Sequence, residues 1–339
     1  MVNKYVALSV LLALAAPVTA QPKNAPDDAP PGSVHDSHAG HGGGPFIDAK
    51  KAPAATRGFG SERIAPTKEE PVKSSNGEFR TVCGFSHMAF DDPIVFPGQP
   101  GKSHLHVFFG NTGTDAFSTA ESLANSGNST CRGGIANRSA YWVPATIDTR
   151  TGTPLKPATT HMYYKNGSIP AGDIQPFPRG LRMVAGDATN TSTKGPFRFV
   201  CKGKGIKFHA YREIPDCPVG SRLNQMVFFP QCWDGRNLDS PDHKSHMRYP
   251  VRRQCPASHP VAIPQITFNI EYAVTEPGQS RHWRLSSDRY ADSIPAGRSM
   301  HGDWFDGWKE PVKEAWVKGC NQAGRNCHSH LLGDGRRIF

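Results

Sequence analysis

The sequence predicts an all-β fold: a single large β-sandwich or jelly-roll-like domain with long disulfide-tied loops and few short helices. Three observations predict it. Short runs rich in β-branched and aromatic residues recur along the chain, as expected of strands. The chain has 34 glycines and 30 prolines among its 339 residues, spread throughout, which disfavours long helices. Eight cysteines follow an apolar N-terminal segment that is typical of an export signal.

Seven runs support the strand prediction, and several alternate apolar and polar residues as a half-buried strand does. They are HLHVFFG (104–110), AYWVPATI (140–147), HMYYK (161–165), LRMVAG (181–186), FRFVC (197–201), MVFFPQCW (226–233) and QITFNIEYAV (265–274). Two segments favour helices. Residues 114–126 place apolar side chains at roughly helical spacing, and a second short helix is predicted to begin at Glu310. Strands therefore dominate the predicted fold.

Three regions are predicted along the chain. Residues 1–20 combine an early lysine, an apolar stretch and small residues at Val18 and Ala20, which predicts a signal peptide cleaved after Ala20. No segment is long and apolar enough for a transmembrane helix, so we expect a secreted or periplasmic protein. Residues 21–75, rich in proline, glycine and histidine, predict a disordered leader, and residues 76–339 predict one secreted domain.

The predicted leader contains three histidines three residues apart, His35, His38 and His41. A flexible tract of this kind can bind Zn or Cu weakly, and a disordered spacer that merely contains histidines explains it equally well.

The even number of cysteines favours disulfides over zinc ligation, because zinc sites need short C-x-x-C pairs and the sequence has none. Proximity along the chain pairs them as Cys83–Cys131, Cys201–Cys217, Cys232–Cys255 and Cys320–Cys327.

The formal net charge is +10 and the pI about 9.3. Outside the cytosol a cationic protein favours acidic polysaccharide or the anionic cell envelope as partner, rather than nucleic acid. The basic residues are scattered, so a solvated basic surface is the alternative interpretation. The sequence predicts no oligomeric state.

Histidines recur in three segments of the predicted domain. His104 and His106 lie at i and i+2 of a predicted strand and therefore share one face. The other two segments combine histidine with aspartate. They contain Asp239, Asp242, His243 and His246 in one loop, and His301 with Asp303 in HGDW.

These residues predict one of three arrangements. In the first, His104, His106, His243 and His246 bind a divalent metal such as Zn or Cu, and Asp242 and Asp303 orient them. In the second, a metal-free catalytic site uses a histidine base together with Asp239 or Asp303 as the acid. In the third, the histidines only hold loops by hydrogen bonds. We also predict that the three segments meet in space and form one site.

Six blocks of the sequence, taken in their order along the chain, resemble one known family. The blocks DDPIVFPGQPGKSHLHVFFGNT, YWVPA, LRMVAG, FFPQCWDGRNLDSPDHKSHMRYP, CPASHPVAIPQITFNIEY and MHGDWFDGW follow one another between Asp91 and Cys320. Together they resemble a secreted family, domain of unknown function 1996, found in fungi and bacteria and sometimes attached to wall-binding WSC modules. The resemblance implies a protein of walls and surfaces with a connection to carbohydrate, and it implies no established activity.

These observations indicate two main function classes and a third that has less support. The first is a secreted carbohydrate-active enzyme, a hydrolase or lyase of an extracellular glycan, that uses the His/Asp cluster. The second is a non-catalytic glycan-binding or envelope module with structural histidines, and the third an extracytoplasmic metal-binding protein. The chain lacks G-x-S-x-G and H-E-x-x-H motifs and glycine-rich nucleotide loops in a suitable context, which disfavours serine-triad, zincin and nucleotide enzymes.

Overall fold

The computed structural model describes residues 44–288 and 293–339. The described residues fall within one compact unit, Val34–Phe339. The predicted signal peptide and the histidines at positions 35, 38 and 41 lie outside the described residues. Among the residues that are described, no helix has the length and apolarity needed to cross a bilayer.

The described chain contains twenty strands, most of them short. In chain order they are β1 (Ile64–Pro66), β2 (Val72–Lys73), β3 (Glu78–Val82), β4 (Phe85–Ala89), β5 (His106–Gly110), β6 (Ala140–Pro144), β7 (Thr146–Asp148), β8 (Thr153–Pro154), β9 (Thr159–Lys165), β10 (Arg182–Gly186), β11 (Phe197–Lys202), β12 (Arg222–Phe228), β13 (Cys232–Trp233), β14 (Met247–Arg248), β15 (Val261–Ala262), β16 (Gln265–Ala273), β17 (Trp283–Leu285), β18 (His301–Phe305), β19 (Arg325–Asn326) and β20 (Arg336–Ile338). All seven runs predicted as strands contain one.

Helices are few and short within the described residues. They are α1 (Ala120–Asn125), α2 (Glu310–Trp316), single 3-10 turns at Ala49–Lys51, Ala171–Asp173 and Gln279–His282, and a π-helical turn at Val317–Gln322. Thr119 caps α1 by accepting a hydrogen bond from the backbone of Ser122, and Pro311 stands in the first turn of α2. Both predicted helical segments are confirmed.

Two large sheets build the domain. One has five strands in the order β10-β18-β6-β5-β4, and the other has seven in the order β11-β12-β16-β9-β3-β19-β2. Three smaller sheets have the orders β14-β13-β15, β17-β7-β8 and β1-β20. All pairs in the five-stranded sheet are antiparallel, which suits the short connections and the alternating patterns of the sequence.

The two large sheets pack face to face. Side chains of the five-stranded sheet such as Val107 and Tyr141 share one buried apolar cluster with Met162 and Phe268 of the seven-stranded sheet. The rings of Tyr141 and Phe268 lie 5.7 Å apart between centroids. The predicted all-β sandwich is therefore confirmed.

The five-stranded sheet is buried on its second face as well. Phe108 and Trp142 point away from the sandwich core, and they pack with Ile94 from the loop after β4 and with Leu123 of α1. Because side chains alternate along a strand, His106 lies on the same covered face as Phe108. The long loops of the sequence thus enclose the polar residues on this face.

All four disulfides join the cysteine pairs predicted from proximity: Cys83–Cys131, Cys201–Cys217, Cys232–Cys255 and Cys320–Cys327. Four bridges in one domain are typical of proteins that fold in an oxidising compartment.

The loops that these bridges close differ in length, and we expect their contributions to stability to differ accordingly. The Cys83–Cys131 bridge spans 48 positions and Cys320–Cys327 spans 7. Replacing the first pair by alanine should lower the free energy of unfolding by about 4 kcal/mol, and replacing the second by about 2 kcal/mol, because the longer loop gains more entropy when opened. Urea unfolding of the two double variants tests this. A larger loss for the shorter loop would contradict it.

The folded region begins earlier than the sequence predicted. Strand β1 pairs with β20, which places Ile64 opposite Ile338, and β2 pairs with β19. The predicted disordered leader therefore does not extend to residue 75 in the structure, and for residues 21–43 it remains a prediction. Strands of two or three residues are too short to give a periodic pattern. The proline-rich composition of this region therefore predicted disorder instead.

These pairings make residues 44–75 a contributor to stability. A variant that begins at residue 76 should unfold about 3–10 °C below one that begins at residue 44. The lost pairing costs about 1–3 kcal/mol, and each kcal/mol shifts the midpoint by about 2–4 °C in a domain of this size. Thermal unfolding followed by circular dichroism measures the difference. Equal midpoints would mean that residues 44–75 are dispensable.

Candidate metal centre

The H-x-H pair ends at His106, the first residue of β5, and its side chains alternate as those of a strand do. The rings of His104 and His106 are 4.2 Å apart between centroids. Leu105, between them, points the opposite way and packs with Ala145 and Ile147. The two imidazoles therefore share one face of the sheet, as expected from their i, i+2 spacing.

Strand β18 brings a second pair of polar residues to this face. Its register with β6 places Asp303 opposite Trp142, and the register of β5 with β6 places Phe108 opposite the same tryptophan. Two positions further along, His106 lies opposite Pro144, and its ring lies 5.7 Å from that of His301 of β18, measured between centroids. The segment containing His301 and Asp303 therefore meets the H-x-H segment, as predicted.

The two buried histidines face each other through one nitrogen each. The Nε2 atoms of His106 and His301 are 3.5 Å apart. The Nδ1 atom of His106 lies 2.9 Å from the carbonyl oxygen of Asp91, and that of His301 lies 2.8 Å from the carbonyl oxygen of Ser299. A carbonyl oxygen only accepts, so in each neutral ring Nδ1–H donates and Nε2 carries the lone pair. Two lone pairs thus point at each other, which is an arrangement that a bound cation stabilises.

The third histidine completes a compact group. One ring nitrogen from each of His104, His106 and His301 lies within 4.8 Å of the other two. His301 is 4% exposed and His106 fully buried, whereas His104 is only partly buried. His104 is therefore the member of the group that lies nearest to solvent.

Two carboxylates border the histidines on the buried side. Oxygen atoms of Asp92 and Asp303 and a nitrogen of His106 lie within 4.8 Å of one another. Asp92 accepts hydrogen bonds of 2.9 Å from the backbone N–H groups of Ile94 and Val95. Asp303 is fully buried, and neither of its oxygens accepts a hydrogen bond from the described residues. A buried carboxyl group without a partner is costly unless a proton or a cation neutralises it.

Burial shifts the pKa values of His106, His301, Asp92 and Asp303 towards neutral forms. It lowers the pKa of His106 to about 4, and burial together with the neighbouring His106 lowers the pKa of His301 to about 4. Burial, reinforced by the charge of Asp92, raises the pKa of Asp303 well above its usual range. Both imidazoles are consequently neutral at pH 7, which is the form that binds metal ions.

The donor set and its spacing fit a transition metal ion. Two nitrogen ligands about 2.0–2.1 Å from a tetrahedral Zn²⁺ lie about 3.3–3.4 Å apart, close to the separation of the two Nε2 atoms. Imidazole nitrogens suit Zn and Cu, and the backbone carbonyls that fix the Nδ1–H groups are the usual outer partners of such ligands. His104, His106 and His301 could therefore hold the ion, and Asp92 and Asp303 lie beside it next to His106.

The loop with the other predicted histidines is not part of this group. Nδ1 of His243 lies 3.0 Å from Asp239, which also forms an ion pair with Arg182 at 3.3 Å. Both ring nitrogens of His246 have protein partners: Nδ1 lies 2.9 Å from Ser240 Oγ, and Nε2 lies 2.7 Å from the carbonyl oxygen of Arg182. The predicted set of four ligands is thus divided. His104 and His106 belong to the cluster formed with His301, Asp92 and Asp303. His243 and His246 instead hold a loop in place.

Asp242 stabilises the same loop by hydrogen bonds. Its Oδ1 accepts from the backbone N–H of Ser245 at 2.8 Å and from Ser240 Oγ at 2.8 Å. These hydrogen bonds hold the pKa of Asp242 well below its usual range. The side chain has a structural role here, although the charge of Lys244 in this loop is close enough to lower the pKa of His301.

Asp92 is the one member of the group that the sequence did not single out. It follows β4, which pairs with β5 and places Ala89 opposite His106. Two aspartates before Pro93 indicate a turn, and nothing local distinguishes a turn aspartate from a ligand. Its place in the same sequence block as His104 and His106 was the available signal.

The comparisons with known proteins returned one family. A family model described as domain of unknown function (DUF1996) matches residues 92–308. This range includes every residue of the cluster. No curated protein matches the chain. No solved structure matches it either.

Proposed function

The chain belongs to the DUF1996 family, and from the geometry of its buried cluster we propose that it is a secreted metalloenzyme that cleaves an extracellular glycan. Its ion would be a divalent transition metal, Zn or Cu, bound by His104, His106 and His301, with the carboxyl group of Asp303 beside His106 to balance its charge. When bound, such an ion acts as a Lewis acid and lowers the pKa of a bound water molecule.

One observation carries the metal assignment. Both buried imidazoles donate Nδ1–H to backbone carbonyls, so their Nε2 lone pairs converge at 3.5 Å. Without a cation this pair repels, and the uncompensated carboxyl group of Asp303 adds to the cost. A divalent ion would remove both penalties at once.

The chain's own residues divide the remaining tasks. Ser299 and Asp91 fix the two imidazoles through their carbonyl groups. Asp92, anchored by two backbone N–H groups, is available to accept a proton near the ion. His104 is the one partly exposed member of the three histidines, so a substrate group would enter on its side.

A cleft beside the cluster supports the glycan part of the proposal. It has a volume of about 360 Å³ and is lined by Gly186, Asp187, Lys244 and Tyr249, among others. Gly186 is the direct partner of His301 in the β10–β18 pair. Polar groups next to an aromatic ring suit the hydroxyls and the apolar face of a sugar.

Burial favours a second candidate, a non-catalytic glycan-binding module in which the metal only stabilises the fold. His106 and Asp303 are fully buried and His301 is 4% exposed. Structural metal sites are closed, whereas catalytic sites keep an open position. The accessibility of His104 therefore decides between the two candidates.

Metal analysis and a polysaccharide panel test the proposal. We expect about one transition metal ion per chain, and product from at least one glycan that disappears with chelator and returns with added metal. A bound ion with no product from any glycan would support the non-catalytic candidate. A protein that binds neither Zn²⁺ nor Cu²⁺ would overturn the metal assignment.

A further inference from the structure

Two arginines lie side by side on the outer face of the seven-stranded sheet. The backbones of Phe199 in β11 and Tyr211 exchange both hydrogen bonds at 2.9 Å, so Arg198 stands directly opposite Arg212. Like charges in directly opposite positions destabilise a strand pair. The fold thus maintains a local concentration of positive charge.

Neither guanidinium group is neutralised within the described part of the chain. Arg198 donates only from Nε, to the sulfur of Met226 at 3.3 Å, and Arg212 donates to the carbonyl groups of Gly195 and Phe197. Neither forms an ion pair with any described carboxylate. Burial and the neighbouring Arg212 together lower the pKa of Arg198, as expected for a cation without a counterion.

Aromatic rings border the two arginines. The Arg198 guanidinium lies 4.8 Å from the ring centre of Phe228 and 5.5 Å from that of Phe208. Phe208 is 68% exposed and Tyr249 is 42% exposed. Stacking orients the planar guanidinium and leaves its Nη groups available for an oxygen acceptor.

These residues line a groove that adjoins the cleft beside the histidine cluster. A cleft of about 450 Å³ contains Arg198, Arg212, Phe228 and Tyr249. It shares Tyr249 and residues 195–197 with the cleft that includes Gly186, the strand partner of His301. A linear polymer bound in the groove would therefore pass close to the cluster.

We propose that this groove binds a carboxylated polysaccharide, a chain containing uronic acid residues, through Arg198 and Arg212. The inference rests on the proposed function and supplies its substrate class. Two adjacent guanidinium forks match a carboxylate group in a bidentate manner, and the exposed rings suit sugar faces. The net charge of +10 favours the same polyanion at longer range.

Affinity for polygalacturonate, measured by isothermal titration calorimetry on the full mature protein, tests the proposal. Methyl-esterified polygalacturonate is the matched neutral ligand, and we expect it to bind at least about 10-fold more weakly, because each charge-assisted hydrogen bond contributes substantially to binding. Equal affinity for the esterified polymer would overturn the proposal. So would equal affinity for free galacturonate, a single-stranded oligonucleotide or vesicles containing phosphatidylserine, which would indicate a general anion site.

Variants at the two arginines locate the site. Arg198→Gln and Arg212→Gln should each weaken polygalacturonate binding by about 10-fold to 100-fold. Arg337→Gln, which removes the same charge from the exposed edge strand β20, should change it by less than about 2-fold. Both groove variants should fold, because each removes a repulsive charge. Unchanged affinity in both groove variants would overturn the assignment.

The His301→Ala variant separates this inference from the proposed function. The groove residues lie outside the cluster, so His301→Ala should keep its affinity for polygalacturonate while losing metal. A wild-type protein that binds polygalacturonate but no metal would refute the metal centre alone. A protein that binds metal but not polygalacturonate would refute the groove alone.

Discussion

His301→Ala is expected to lose stoichiometric metal binding, with an affinity for Zn²⁺ or Cu²⁺ reduced by more than about 100-fold. Loss of a mere outer partner of a metal ligand costs about 10-fold to 100-fold, and a direct ligand should cost more. His301 supplies one of the two Nε2 atoms that face each other at 3.5 Å, so its loss removes one of the three imidazole ligands and leaves His104 and His106. Competition titration with a chromogenic chelator measures the change.

His243→Ala is the matched control. His243 is partly exposed and pairs with Asp239, outside the cluster. The His243→Ala variant should therefore bind the metal with an affinity within about 3-fold of that of the wild-type protein. Because His301 is buried, circular dichroism must show that its variant is folded, and His104→Ala, at the partly exposed position, provides a second test. Wild-type affinity in both folded variants would refute the metal centre.

Much of the site was predictable because its two halves are each encoded locally. An H-x-H spacing on a strand fixes two imidazoles to one face, and His301 and Asp303 follow the same rule on β18. The meeting of the two strands depends on sheet order, which places β6 between them. The sequence predicted this meeting only because buried imidazoles require polar partners.

The difference between the predicted ligand set and the cluster has a physical cause. His246 resembled a ligand in sequence, since it has a nearby histidine and aspartate. Its nitrogens are instead used by Ser240 and by the carbonyl oxygen of Arg182, 64 positions away along the chain. Hydrogen bonds to a distant backbone carbonyl leave no trace in the side-chain pattern, so a structural histidine and a ligand look the same.

The fold was predictable where periodicity was long enough to detect. Strand β16 has nine residues, and its alternation predicted it well. Strands β1 and β2 have only three and two residues, and they form by pairing with strands that are distant in sequence, β20 and β19. Short edge pairings of this kind are set by tertiary contact rather than by local sequence.

Lys313→Met should lower the free energy of unfolding by about 3–5 kcal/mol. Lys313 lies on α2 and its Nζ atom is 2.9 Å from Asp306 and 2.8 Å from Glu310. The side chains of Lys313 and Asp306 are both fully buried. Although burial opposes it, the charge of Asp306 raises the pKa of Lys313, so the lysine is charged at pH 7. Removing one partner of a buried pair leaves the other charge uncompensated, which is the costly outcome.

Two further variants show that the pair, rather than the loss of a lysine, is responsible. Lys318→Met removes the exposed partner of Glu314, a pair at i, i+4, and should change stability by less than about 0.5 kcal/mol. The double variant Lys313→Met with Asp306→Asn removes both buried charges and should recover part of the loss, because no isolated charge then remains. Urea unfolding at pH 7 measures all three. A Lys313→Met effect no larger than that of Lys318→Met would mean that the buried pair contributes nothing to the fold beneath α2, and that the neighbouring apolar packing alone holds this helix.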